Sequence, residues 1–81
     1  MERFYFHIRA NGTVVPDRDG RHFNGAREAF DYATTRTPPL LRKYRGTHNT
    51  YVSIQICDKE EHTIAVIRGT VILEKWKPGL R

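Results

Sequence analysis

Disulfide bonds, secretion signals and membrane spans are the first features that the sequence lacks. It contains a single cysteine, Cys57, so no disulfide can form within the chain, and we expect a cytoplasmic, reducing environment. No apolar stretch follows a positively charged N-terminus, which predicts that there is no signal peptide. No apolar run approaches the length of a bilayer-crossing helix, so we expect no membrane partner.

Motifs for metal binding and catalysis are lacking as well. The four histidines and the cysteine do not have the close paired spacing of a structural zinc site, so we expect no metal and no cofactor. Residues 17–20 are similar to the start of a calcium loop but lack its later ligands, and we expect a turn there. The chain has neither a phosphate-binding loop nor an activated-nucleophile motif, so we expect that it is not an enzyme.

Length and charge limit the number of domains and the kinds of partner that this protein can have. A chain of 81 residues suits one domain, which we expect to span residues 1–81. A domain of this size buries a modest fraction of its surface and gains stability from dimerisation. The formal net charge of +5 and the pI of about 9.8 favour anionic partners such as nucleic acid or acidic proteins.

The most informative stretch is residues 3–9, in which side chains alternate strictly between two sides. One side is apolar, with Phe4, Phe6 and Ile8, and the other is cationic and aromatic, with Arg3, Tyr5, His7 and Arg9. This period of two predicts a half-buried strand. Asn11–Gly12 then predicts a tight hairpin, because both central residues of a type I′ turn need positive φ, and Thr13–Val15 would be the returning strand.

An amphipathic helix is predicted in the middle of the chain. Asn24 is a suitable N-cap, and the apolar residues behind it recur at helical spacing. These residues are Ala26, Ala29, Phe30 and Ala33. We expect Phe30 to be the main anchor of the helix on a sheet. Pro38 and Pro39 predict that the helix ends near Arg36, because the residue before a proline is disfavoured in the helical region.

Two further strands are predicted after the helix. Residues 51–57 alternate, with Val52, Ile54 and Ile56 on the core side. Residues 62–67 are apolar on both sides, which predicts a central strand or one covered on both faces. Gly69 predicts either a bulge or a hairpin turn, and a further strand would follow it. Residues 75–81 contain proline and glycine and are predicted to form a flexible tail.

Together these elements predict an α+β fold with the order ββαββ, or ββαββ(β) if the chain pairs again after Gly69. One antiparallel sheet of four or five strands would carry the single helix on one face. The predicted core comprises Phe4, Phe6, Ile8, Val15, Ala26, Ala29, Phe30, Ala33, Val52, Ile54, Ile56, Ile64 and Val66.

The opening run, residues 3–8, resembles that of a family of small uncharacterised bacterial domains, found mostly in alphaproteobacteria. Those domains begin with arginine, aromatic residues, histidine and an aliphatic residue. Gly12, the 17–20 turn, the spaced alanines of the helix and the closing hairpin also resemble the family, over about residues 3–67. The family usually has glycine in the last hairpin, where this chain has Glu61 or His62, and the double proline and the segment after Gly69 also differ. Because the family has no assigned activity, the resemblance implies a fold and no function.

A basic surface that contains tyrosines is the feature that indicates a function. Open sheets with aromatic and cationic side chains stack bases and contact phosphates in several small domains, although charged sheet faces also serve solubility alone. Our first hypothesis is a non-enzymatic module that binds nucleic acid or another anionic partner. Its predicted site comprises Arg3, Tyr5, His7, Arg9, Arg36, Arg42, Lys43, Arg45 and Tyr51.

Self-association is the alternative from another class. Tyr5, Tyr51 and the strand that is apolar on both sides would then be covered by a second subunit, and symmetric dimers are the commonest oligomers. The alternative function is a homodimeric structural or adaptor protein that binds another protein and has no role with nucleic acid. An acidic protein partner is a third reading, because arginine pairs well with carboxylates at interfaces.

Overall fold

The structure is a computed structural model and describes residues 1–45 and 50–71. The described elements, in chain order, are β1 (Glu2–Ala10), β2 (Thr13–Val15), β3 (Arg21–Phe23), α1 (Ala26–Tyr44), β4 (Thr50–Cys57) and β5 (Thr63–Val71). The strands form one antiparallel sheet in the order β2-β1-β4-β5, and β3 pairs with the first residues of β1. The predicted α+β class, with one antiparallel sheet and one helix, is confirmed. No helix within the described ranges has the length and apolar character needed to cross a membrane.

The fifth strand lies before the helix, not after Gly69. β3 lies between the predicted turn at residues 17–20 and the predicted helix, where no strand was expected. β5 runs through Gly69 without a break. Gly69 pairs with Val52 in regular register, so it is neither a bulge nor a hairpin turn. The further strand predicted at residues 70–73 starts within β5, which includes residues 70 and 71. Its remaining residues and the predicted tail, residues 75–81, lie outside the described residues.

Glycine at position 69 is explained by the closeness of the helix. A Cβ atom there would lie 2.6 Å from Thr37 Cγ2 and 3.0 Å from Leu41 Cδ1, both on α1. Ala29 and Ala33 are fully buried at the same helix–sheet interface. Small residues on both elements therefore allow the helix backbone to approach the sheet.

The helix extends beyond its predicted end. It runs through Pro38 and Pro39 to Tyr44, so the predicted end near Arg36 is wrong. The prolines have no N–H, so the exposed carbonyls one turn before them lose their usual donors. Burial of Leu40 against the sheet, where it is 7% exposed, favours continuation and offsets that loss.

The start of the helix also differs by one residue from the prediction. Gly25 is the N-cap and makes no side-chain cap, whereas Asn24 was expected there. The backbone N–H and the Nδ2 group of Asn24 donate to the carboxylate of Glu28, at 2.9 and 3.3 Å. Asn24 therefore connects the chain to the first turn of α1, but as a donor and not as the expected acceptor.

The predicted core is confirmed for β1, β4 and part of the helix. The confirmed buried residues are Phe4, Phe6, Ala29, Ala33, Val52, Ile54 and Ile56, and Ile8 packs beside them. Val15 is exposed because β2 is an edge strand, and Ala26 is exposed at the first residue of the helix. Phe30 is 43% exposed, so it is not the anchor of the helix.

The aromatic anchor of α1 is Tyr32, two residues after Phe30. Its ring centroid lies 5.3 Å from that of Phe6 and 5.3 Å from that of Phe23. β3 supplies Phe23, and this strand was not predicted. The face of the helix that packs on the sheet therefore includes Tyr32 and not Phe30, because β3 places Phe23 next to Tyr32.

β5 presents the opposite face from the one predicted. Ile64 and Val66 are each 40% exposed, whereas Ala65 and Ile67 pack against the core. The pairing Cys57–Thr63 is followed by Ile56–Ala65, so Ile64 is an extra residue that shifts the alternation. The strand also lies at an edge of the sheet and not at its centre.

The hairpin predicted at Asn11–Gly12 has the expected backbone geometry. Asn11 and Gly12 have φ of 50° and 88°, as the hairpin between β1 and β2 requires. The hairpin between β4 and β5 places Glu61 at φ 66°, a region that L-residues other than asparagine and aspartate rarely adopt. Glycine adopts positive φ without steric cost, so it would suit position 61 better than glutamate.

Candidate ligand-binding surfaces

The nine predicted site residues lie on two separate surfaces. Because α1 packs on one face of the sheet, alternation along the strands places five of the nine residues on the other face, which we call the outer face. The outer face carries Arg3, Tyr5, His7, Arg9, Tyr51, Ser53, Gln55, Val66 and Arg68. The other four predicted residues, Arg36, Arg42, Lys43 and Arg45, belong to α1 or its C-cap and lie on the helix side.

A cationic row crosses three strands at one end of the outer face. Arg9 on β1 pairs with Ser53 on β4, which pairs with Arg68 on β5. Neighbouring strands are about 4.8 Å apart, so the two arginine backbones are separated by about 10 Å. Both side chains are exposed, and neither forms an ion pair with any residue in 1–45 or 50–71. Two guanidinium groups are therefore available to one anionic ligand.

The cationic row borders a shallow depression of about 200 Å³. Its lining also includes the hairpin residues Asn11 and Gly12, Tyr51 and Val52 on β4, and Gly69 on β5. Asn11 is fixed in this position because its Oδ1 accepts the backbone N–H of Tyr51 at 2.8 Å. The depression thus combines two cations with an aromatic ring that is 52% exposed.

Arg68 is the functional candidate that sequence reasoning missed. Because either a bulge or a hairpin turn is predicted at Gly69, the face of Arg68 is undefined in the sequence, whereas the register of β5 places it opposite Ser53. In the sequence, Arg68 is the one charged residue of β5. A lone cation in a strand with apolar residues on both sides does not show which face of the sheet it occupies. That face depends on the extra residue Ile64.

The opposite end of the outer face carries charges of both signs, because Lys59 lines a depression there together with Asp17 and Glu61. The rings of Tyr5 and His7 stack with centroids 6.4 Å apart and an interplanar angle of 9°. His7 Nδ1 accepts the backbone N–H of Asp17 at 3.0 Å, so this nitrogen is engaged by the turn. Asp17 and Glu61 both line the adjacent depression of about 240 Å³. His7 was predicted to contribute to a cationic surface, and here it supports a turn.

Arg3 also serves the turn at residues 17–20. Its guanidinium donates to the backbone carbonyl of Asp19. The carboxylate of Asp17 accepts backbone N–H bonds from Phe6 at 3.0 Å, Asp19 at 3.1 Å and Gly20 at 3.0 Å. Burial raises the pKa of Asp17, but the N–H donors of Gly20, Phe6 and Asp19 outweigh it, so the pKa lies below its ordinary value. The stability from this ionised turn is present above the ordinary pKa and is lost as the pH falls through the lowered one.

The basic residues at the end of the helix have a structural explanation. Arg42 and Lys43 lie in the last turn of α1, where cations interact favourably with the exposed carbonyls and the helix dipole. Lys43 Nζ lies 5.4 Å from the ring centroid of Tyr44. Arg45 is the C-cap and is exposed. These cations are solvated and belong to a different surface from the outer face.

One cluster of metal-ligating groups occurs among the described residues, in the turn between β4 and β5. Ligand atoms of Asp58, Glu60 and His62 lie within 4.8 Å of one another. Asp58 Oδ1 accepts the backbone N–H groups of Glu60 and His62, each at 2.9 Å. The bond from His62 is the main reason that the pKa of Asp58 is lowered. These bonds describe an exposed turn that is stabilised by the carboxylate of Asp58.

Comparison with known proteins gives one family. A family model described as a domain of unknown function, DUF6894, matches residues 3–70. Neither the curated proteins nor the solved structures include a match to this chain. The resemblance to a family without assigned function is confirmed, whereas the bacterial source and the opening motif stay predictions.

Proposed function

We propose that this chain, which belongs to the DUF6894 family, is a non-catalytic module that binds single-stranded nucleic acid through its outer face. The observation that carries this proposal is the row Arg9–Ser53–Arg68 beside the exposed ring of Tyr51. Arginine forms bidentate hydrogen bonds to phosphate, and an exposed tyrosine offers a stacking surface for a base. The net charge of +5 adds a long-range attraction for polyanions.

The polarity of the outer face supports an orientation for the bound strand. Phosphates would lie at the cationic row, and a base would stack on Tyr51. The depression at the other end is lined by two acidic residues, Asp17 and Glu61, and one cation, Lys59, so it would attract phosphates less than the cationic row does. Single strands fit this surface better than a duplex, since unstacked bases can reach an aromatic side chain on an open sheet.

The test is a pair of charge-reversal variants with equal charge. In the first, Arg9→Glu and Arg68→Glu change the outer face; in the second, Arg42→Glu and Lys43→Glu change the helix end by the same amount. Fluorescence anisotropy with a labelled oligothymidylate measures the Kd of each over a salt series. We expect the first variant to lose at least about tenfold in affinity, since two phosphate contacts are removed, and the second to lose much less.

Two results would contradict the proposal. One is the absence of binding by the unchanged protein even at low salt, where phosphate-driven complexes are tightest. The other is an equal loss in both variants, which would mean that total charge and not the outer face determines binding. Circular dichroism of both variants confirms that each is folded before the comparison is made.

A homodimer is the second candidate function, and the free edge of β5 favours it. β5 is nine residues long, contains one charged residue and has no partner on its outer edge within the described part of the chain. By contrast, β2 and β3 have three residues each. A long edge strand with apolar side chains is a template for pairing with another chain.

The dimer hypothesis predicts a concentration-dependent mass. Light scattering should show the mass doubling as the protein is concentrated, and Ile64→Lys with Val66→Lys should keep the protein monomeric by placing like charges at the paired edges. Thr13→Lys on β2 is the control and should leave dimerisation unchanged. A monomer at every concentration would exclude this candidate and leave nucleic-acid binding unaffected.

A further inference from the structure

A cavity of about 360 Å³ lies on the helix side of the sheet, away from the outer face. Its size falls within the range of about 300–1,000 Å³ that is typical of small-molecule sites. One wall is α1 and the other is the segment from Asp17 to Arg21. The strand residues Phe6, Ile8 and Ile54 form an apolar floor, and the wall from α1 adds the apolar residues Ala33 and Leu40.

The cavity exists because the helix does not cover the whole sheet. α1 packs mainly on β4 and β5, so the helix-side face of β1 is only partly covered at Ile8. The facing wall is held away from the helix by hydrogen bonds from Phe6 and Gly20 to the Asp17 carboxylate. The turn therefore supports an open site that does not depend on a ligand to form.

The charged groups around the cavity are not equivalent. The carboxylate of Asp17 already accepts three backbone N–H bonds, so it has little capacity left for a ligand. Arg21 lies over the ring of Tyr32, with its Cζ 4.7 Å from the centroid, and this stacking leaves the N–H groups in the guanidinium plane available. Arg36 on the facing wall makes no ion pair or side-chain hydrogen bond within residues 1–45 and 50–71.

We propose that this cavity binds a small amphipathic anion, with an apolar body on the floor and a carboxylate between Arg36 and Arg21. Donors are presented from both walls, as a carboxylate requires, and the floor excludes water from the apolar body. Asp19 also lines the cavity, and its negative charge opposes the binding of an anion. This site is independent of the proposed nucleic-acid surface.

Octanoate and octylammonium are matched probes, because they share an apolar chain and differ in the charge of the headgroup. Amide NMR shifts of the full chain are followed as each is added. We expect octanoate to shift the amides of Phe6, Ile8 and Ile54 and to bind more tightly than octylammonium. Arg36→Gln should lower the affinity for octanoate about tenfold, because one hydrogen bond between charged groups is lost. Asp19→Asn should raise that affinity, because it removes a negative charge.

Arg42→Gln is the control, since Arg42 is an exposed cation on the same helix that does not line the cavity. It should bind octanoate like the unchanged protein. The proposal is overturned if octanoate shifts none of the cavity amides, if octylammonium binds equally well, or if Arg36→Gln and Arg42→Gln have the same affinity. None of these results bears on the outer face, so a failure here is distinguishable from a failure of nucleic-acid binding.

Discussion

Replacing Gly20 with alanine should destabilise the fold by roughly 3 kcal/mol, the sum of a strained backbone and a steric overlap. Gly20 has φ of 70°, which L-residues rarely adopt. Its added Cβ would lie 2.8 Å from the carbonyl oxygen of Phe4, and the side chains of Arg3 and Tyr5 would be 3.0 Å away. A backbone oxygen in a central strand cannot move without disturbing the pairing of β1, so the overlap cannot be relieved cheaply.

Gly12→Ala is the matched control for the Gly20 prediction. Gly12 also has positive φ, 88°, but nothing lies within 4 Å of an added Cβ. Gly12→Ala should therefore lower the free energy of unfolding by only about 1 kcal/mol, the cost of the strained backbone. Urea unfolding followed by circular dichroism measures both variants. Equal losses at the two positions would show that the contact with β1 contributes nothing.

The Gly20 prediction also extends to the two candidate ligand sites. The 17–20 turn holds His7 through the backbone N–H of Asp17 and forms one wall of the cavity. If Gly20→Ala remains folded at low temperature, the cavity amides should shift, whereas amides of Ser53 and Arg68 should not. This pattern is expected because the substitution displaces the 17–20 turn, which borders the cavity and does not contact the cationic row.

Gly69→Ala should cost about 2 kcal/mol, because it overpacks the interface between β5 and the helix. The added methyl group would lie 2.6 Å from Thr37 Cγ2. Thr37 cannot simply rotate, since its hydroxyl donates to the carbonyl of Ala33 at 3.2 Å and β-branched residues have few rotamers in a helix. The helix must shift from the sheet unless the methyl group of Thr37 is removed.

Thr37→Ser provides the rescue experiment for Gly69→Ala. Serine removes Cγ2 and keeps the hydroxyl that bonds to Ala33. We expect the double variant to recover at least half of the stability that Gly69→Ala loses, although Leu41 Cδ1 still lies 3.0 Å from the added Cβ. A double-mutant cycle on the free energy of unfolding measures this coupling. Purely additive losses would mean that the two side chains do not meet.

Much of the fold followed from local patterns. The alternation in β1 and β4 correctly assigned Phe4, Phe6, Val52, Ile54 and Ile56 to the core. These strands are neighbours in register, and in each of them one face is apolar and the other polar. A slip of one residue would expose the apolar face, so the pattern leaves a single arrangement.

Local patterns were insufficient where two arrangements bury similar amounts of apolar surface. β5 has apolar residues on both sides, so alternation could not identify its core face. That face depends on the extra residue Ile64 and on the positive φ of Glu61 in the hairpin. The assignment of Arg68 to the outer face, and hence the cationic row, follows from the same geometry.

Local sequence patterns are enough to predict strands β1 and β4, the hairpin between β1 and β2, and one helix on one sheet. Alternating apolar residues and the backbone requirements of asparagine and glycine act over a few residues, so they can be read along the chain. Three outcomes could not be predicted from local patterns: the helix continues through Pro38–Pro39, Tyr32 replaces Phe30 as its anchor, and Arg9 and Arg68 lie in one row. Each of these outcomes depends on contacts between segments far apart in the chain, and burial against those partners outweighs local preference.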